Sequence, residues 1–208
     1  MGNDAGLQIR LLLADDQALV RGALAALLGL EPDLEVIAQV ERGDDVLPAV
    51  LAQPVDVALL DIEMPGIDGI AVVEQLREHA PQVRALVVTT FGRPGYLRRA
   101  LDAGAAGFLV KDTPANELAD AVRRVHSGLR VVDPSLATES LLEGMNPLSA
   151  REQEVLSEAL TGAPVAEIAR SLSLSVGTVR NYLSTATAKA HAQSSAQAAV
   201  IARDRGWL

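Results

Sequence analysis

The order of short apolar runs and helix-like segments over residues 9–127 leaves this chain few possible folds. Apolar runs fall at 9–14, 34–40, 55–60, 85–89 and 107–110. Segments with helical spacing follow them at 18–30, 44–53, 70–78, 95–102 and 115–127. A run that is apolar throughout, such as Val57-Ala58-Leu59-Leu60, needs cover on both faces, as in a parallel sheet flanked by helices. Five strand–helix units in this length predict an α/β doubly wound fold, whose ligands gather beyond the carboxyl ends of the strands.

Residues 129–146 lose this alternation, contain Pro134 and Gly144, and read as a linker with a short helix at 134–142. From 147 onward the pattern is helical only, at 150–160, 165–172, 176–189 and 196–205. The expected division is therefore 7–128, 129–146 and 147–208. Charge divides the same way, with 12 Lys+Arg against 22 Asp+Glu before residue 147 and 6 against 5 after it. An acidic domain joined to a near-neutral one points to different partners, and any claim for nucleic acid must rest on pattern rather than charge. Cysteine is absent, which excludes a disulfide framework and a thiolate zinc site. No apolar stretch spans a bilayer and the first ten residues lack a signal-peptide pattern, so the expected location is cytoplasmic, without membrane insertion.

Five polar residues stand at or just past the predicted strand ends: Asp15 and Asp16, Asp61, Thr89 and Lys111. Three converging carboxylates repel one another, and a hard divalent cation such as Mg²⁺ relieves that. A carboxylate beside Mg²⁺ and a lysine is equipped to be a nucleophile towards a phosphoryl group, with Thr89 and Lys111 balancing the phosphoryl oxygens. Lys111 is one of only two lysines, in a chain that uses arginine freely. Taken singly, each acid also reads as a helix cap or turn former, and Asp15 and Asp16 could both cap the first helix.

LLLADDQ, LLDIEMPGIDG, VVTTF and GFLVKD resemble, in order and spacing, the receiver domain of bacterial two-component response regulators. The resemblance implies a five-stranded parallel sheet of order 2-1-3-4-5. It implies Asp61 as phosphoacceptor, and Asp15, Asp16, Asp61 and the Glu63 backbone carbonyl around Mg²⁺. Thr89 and Phe108 would be the switch pair, and Lys111 the phosphate-pairing lysine. Glu63 and Phe91 stand at flanking positions that tune phosphoryl lifetime in this family. One departure is Asp112, where many receivers follow the lysine with a proline in a cis peptide.

In the second domain, Ser149 followed by Glu152 forms a capping-box pattern. Val165-x-x-Ile168-Ala169-x-x-Leu172, the turn Ser173-Leu174-Ser175 and the helix after it make a helix-turn-helix pattern. On the second helix Val179 and Leu183 face inward, leaving Thr178, Arg180, Asn181, Ser184 and Thr185 outward. Arginine forks to guanine and asparagine to adenine, while Ser and Thr suit phosphates. The same face also reads as the solvated side of a small bundle.

LSAREQEVL, EIARSLSLSVGTVRNYL and the terminal helix resemble the four-helix LuxR-type DNA-binding domain of the NarL/FixJ subfamily of response regulators. That resemblance implies DNA contacts at Ser175, Thr178, Arg180, Asn181, Ser184, Thr185 and Lys189. DIEMPG, TTFGRPGY, MNPL, GTVRNYLS and the GWL ending are similar in phrasing to DesR-like regulators. Ala186, Ala190 and Ala192 stand where the family places large aliphatics, implying a domain that is marginally stable or leans on its partner, and Ser184 where relatives carry a basic residue. The implied function is phosphorylation at Asp61 by a sensor histidine kinase, homodimerisation, and binding of paired half-sites on double-stranded DNA. The first and fifth helices, or the fourth, are the candidate dimer faces, with Leu24, Leu27 and Leu28 in the first. Two rivals are an enzyme using an aspartyl nucleophile on a similar sheet, and a regulator that works without phosphorylation.

Overall fold

The computed structural model describes residues 8–90, 94–143 and 146–208, which fold as two compact units. The first contains β1 (Ile9–Ala14), α1 (Ala18–Leu28), β2 (Leu34–Val40), α2 (Val46–Ala52) and β3 (Val57–Leu60). It continues with α3 (Gly69–His79), β4 (Arg84–Thr89), α4 (Pro94–Ala103), β5 (Gly107–Val110), α5 (Ala115–His126) and β6 (Val131–Val132). All strands are parallel, in the order β2-β1-β3-β4-β5-β6. The doubly wound order of the first five strands is as expected. The sixth is an addition: two residues from the 129–146 stretch pair with β5, Gly107 opposite Val131 and Phe108 opposite Val132.

Both faces of the sheet are covered, which explains the unbroken apolar runs. β3 is buried at all four positions. On one side Leu11, Leu13, Leu59 and Leu86 pack with Leu28, Leu118, Val122 and Val125 of α1 and α5. On the other, α2 and α3 bury Val46, Val50, Val72, Val73 and Leu76. Each such side chain contributes roughly 1.5–3 kcal/mol on leaving water.

The helix expected at 44–53 is divided. A 3-10 turn over Gly43–Asp45 precedes α2. Pro48 lies in the first turn of α2 and has no N–H to give to the carbonyl of Asp44, so the α-helical ladder does not extend back through residue 44. The expected strand at 55–60 begins later, because Val55 N–H turns back to Gln53 O at 2.9 Å.

After α6 (Pro134–Glu143) comes the all-helical unit: α7 (Ala150–Leu160), α8 (Val165–Ser171), α9 (Val176–Lys189) and α10 (Ser195–Asp204). Ser149 and Glu152 form the capping box of α7. Leu148, Val155, Leu156, Ile168, Val179, Leu183 and Trp207 make the core, completed by six alanines, among them Ala186 and Ala190. Asn146 ties the start of the unit to its end, its Nδ2 donating to Trp207 O at 3.1 Å. Among the described residues, no helix is long and apolar enough to cross a membrane.

Candidate functional site

The register of the sheet decides which side chains meet. Ala14 lies opposite Leu60, and Thr89 opposite Val110, so the next residues, Asp15, Asp61 and Lys111, emerge at neighbouring strand ends. Asp61 N–H continues the ladder to Ala14 O at 2.9 Å, and Lys111 N–H continues it to Thr89 O at 2.9 Å. The side chains then close on one another. Lys111 Nζ is 2.8 Å from Asp15 Oδ2 and 2.8 Å from Asp61 Oδ2.

The site is buried on one side and open on the other. Asp15 and Asp61 are each 3% exposed, while Asp16 is exposed. One carboxylate oxygen from each of Asp15, Asp16 and Asp61 lies within 4.8 Å of the others. Three hard oxygen donors at that spacing fit a Mg²⁺ ion that keeps several waters. Burial pushes the Asp61 carboxyl up, against the pull of Lys111, and the Asp15 charge adds to the rise. For Lys111, burial opposes the charged form, but hydrogen bonds to Asp15 and Asp61 outweigh it and hold the ammonium above its usual value.

Backbone bonds fix the loops. Asp61 Oδ1 accepts from Ile62 N–H at 2.7 Å, and Asp15 Oδ1 accepts from Gln17 N–H at 2.9 Å. Asp68 caps α3, accepting from Ala71 N–H at 2.7 Å. Gly69 is required by close approach, since a Cβ there would stand 2.0 Å from Asp61 O. Thr89 is 1% exposed at the end of β4, and Phe108 is fully buried in β5. Glu63 sits two residues past Asp61 with its side chain exposed. Phe91 lies outside the described residues. The Lys111–Asp112 peptide is trans, as no described peptide bond is cis.

Arg21, not among the expected site residues, also belongs to this site. Its guanidinium, 16% exposed, donates to the backbone carbonyl of Asp15, and so holds the turn that presents the acidic pair. The signal was an arginine six residues beyond Asp15 on an otherwise apolar helix.

In the second unit α8, the turn and α9 take the expected arrangement. Ser175 caps α9, its Oγ accepting from Thr178 N–H at 3.0 Å and lying 2.8 Å from Thr178 Oγ1. Val179 and Leu183 are buried; Arg180, Asn181, Ser184 and Thr185 are exposed, and Thr178 is half-buried. Lys189 is half-buried. Its ammonium pairs with the unit's own buried carboxylate, 2.7 Å from Glu152 Oε2 and 3.0 Å from Oε1.

Two family models match the chain. Residues 11–123 match the response regulator receiver domain, and residues 146–202 match the bacterial regulatory proteins of the luxR family. The uncharacterized transcriptional regulatory protein YvfU of Bacillus subtilis (strain 168) is 44% identical over 200 residues, covering 96% of this chain and 100% of that protein. The transcriptional regulatory protein DesR of the same organism is 41% identical over 200 residues, covering 96% and 99%. Among solved structures, the response regulator ChrA of a heme-sensing two-component system has a TM-score of 0.58 at 31% identity, covering 97% of this chain and 99% of that one.

Proposed function

The chain belongs to the response regulators that join a receiver domain to a LuxR-family DNA-binding domain, and from that premise we propose that Asp61 is the carboxylate phosphorylated by a sensor histidine kinase. The observation that carries this reading is the meeting of Asp15, Asp16, Asp61 and Lys111 at adjacent strand ends. An Asp61 oxygen attacks the phosphoryl group of the kinase's phosphohistidine, and the histidine nitrogen leaves. Asp15, Asp16, Asp61 and the Glu63 carbonyl are the proposed holders of Mg²⁺. When bound, the ion neutralises crowded negative charge and polarises the phosphoryl oxygens. Lys111 then turns from the carboxylates to a phosphoryl oxygen, and Thr89 supplies its hydroxyl to another. The acylphosphate is a signal, not a turnover intermediate, so the protein acts as a regulator rather than an enzyme.

Phosphorylation shifts a pre-existing equilibrium at Thr89 and Phe108, and the favoured state associates as a homodimer. Three leucines at and just beyond α1 support a second copy as the partner: Leu19 is 87%, Leu27 45% and Leu30 79% exposed. Leu28, by contrast, is core, and Leu24 packs against it. The dimer presents two α9 helices to paired half-sites on double-stranded DNA. Ser175, Thr178, Arg180, Asn181, Ser184 and Thr185 form the contacting face.

Sedimentation of the purified chain with Mg²⁺, with and without beryllofluoride, tests the switch. A shift from monomer to dimer that Asp61→Asn abolishes supports it. A wild type equally dimeric without beryllofluoride overturns it.

A further inference from the structure

The Lys189–Glu152 pair joins the two ends of the helical unit that matter for reading DNA. Lys189 closes the last turn of α9. Glu152 is 4% exposed, the one buried charged residue of this unit among the described residues. Its Oε2 also accepts from Ser149 N–H at 2.7 Å, so one carboxylate serves both the start of α7 and the end of α9. Beside Val179 and Leu183, the core around the later part of α9 is built largely of small residues, Ala186, Ala190, Ala198, Ala199 and Ala202. Small residues allow close approach but interdigitate weakly, leaving the angle between helices under-determined. A hydrogen-bonded ion pair whose carboxylate is buried and whose lysine is half-buried adds a fixed point to that geometry.

We propose that Lys189 is a positioning residue for DNA recognition: held by Glu152, it sets the angle and axial placement of α9 against α7, and it does not itself bind a phosphate. The proposal rests on reading α9 as the helix that enters the major groove. Burial works against charge on Glu152, yet the Lys189 ammonium and the Ser149 N–H hold its carboxyl below the usual range. Arg180 then remains as the one cation of α9 available to the duplex, because α9 contains no other besides Lys189.

The test uses the full chain with beryllofluoride and Mg²⁺, and a duplex of about 30 base pairs selected by the wild type from a random pool. Affinity is measured from about 50 to 200 mM salt for Lys189→Met, Glu152→Gln and the double variant. Each single change is expected to weaken binding about tenfold, the double variant no more than either single one, and the salt slope to stay as in the wild type. A slope reduced by about 0.9 in Lys189→Met, with Glu152→Gln binding normally, identifies a phosphate contact and overturns the proposal. Unchanged affinity in both single variants overturns it equally.

The wild type offers a measurement independent of folding in the variants. With only two lysines in the chain, acylation of Lys189 is followed by mass spectrometry with and without the selected duplex. Equal rates support positioning; protection by the duplex overturns it. Failure of the wild type to select any duplex strikes the groove-helix reading itself, a distinct outcome.

Discussion

Asp61 Oδ2 and Lys111 Nζ are 2.8 Å apart, with side chains 3% and 8% exposed. A pair this enclosed is poised rather than relaxed, because the folded state raises the carboxyl of Asp61, chiefly through burial. A carboxyl raised on folding favours the fold when protonated, and that advantage is lost as pH rises through its folded value. Its ionisation near neutrality therefore opposes folding. Asp61→Asn is expected to raise the thermal midpoint of the receiver unit in metal-free buffer at pH 7, by about 2–4 °C. Calorimetry at pH 7 and again near pH 4 checks this, with the gain shrinking at the lower pH. A lowered midpoint at pH 7 contradicts it.

Mg²⁺ is expected to reverse that ranking. A ligand that binds only the folded state adds about 2.7 kcal/mol at a hundred times its dissociation constant. The wild-type midpoint should climb with Mg²⁺ while Asp15→Asn and Asp61→Asn stay nearly flat, since each removes one of the three clustered oxygens. Equal Mg²⁺ stabilisation of all three proteins removes the metal from this site.

Gly69 and Gly22 make a paired prediction. A Cβ at 69 would stand 2.0 Å from Asp61 O, whereas one at 22 would meet nothing within 4 Å. Gly69→Ala is expected to destabilise by about 1–3 kcal/mol and to slow phosphorylation, through displacement of the Asp61 backbone. Gly22→Ala, inside α1, is expected to stabilise by about 0.5–1 kcal/mol. Urea unfolding of the two variants decides, and opposite signs are required.

The Arg10–Asp56 pair is expected to contribute to acid sensitivity. Arg10 Nε and a terminal nitrogen donate to Asp56 at 2.9 and 2.7 Å. Hydrogen bonding to Arg10 holds the Asp56 carboxyl below the usual range, against a smaller effect of burial. A depressed carboxyl stabilises the fold above its unfolded value, and that contribution is lost as pH falls through the folded one. Asp56→Asn should therefore unfold at lower urea than the wild type at pH 7. The two should converge as the buffer is taken below the ordinary carboxylate range. A difference that persists unchanged at acid pH would point to packing instead.

Local pattern carried most of the architecture. The apolar run at 57–60 announced a strand covered on both faces, and Val179 and Leu183 announced the inward stripe of α9. The acids, Thr89 and Lys111 at strand ends were legible because strand ends in a parallel sheet are where polar groups converge. What stayed hidden depends on partners distant along the chain. β6 has two residues, too few to show a period, and exists only because β5 offers an edge. Lys189 reads as a free cation until Glu152, 37 residues earlier, is seen beside it. Arg21 reads as surface charge until its carbonyl partner on Asp15 is known.

The alanines in the core of the helical unit bear on its calorimetry. Six of the thirteen buried residues in that core are alanine, so unfolding uncovers little hydrocarbon for each residue released. Heat-capacity change on unfolding follows newly wetted apolar area, and for this unit it is expected to fall below the ordinary ~12–15 cal/mol/K per residue, which calorimetry of the unit checks. A small heat-capacity change flattens the stability curve. The helical unit is thus expected to vary more gently in stability with temperature than the leucine-filled receiver.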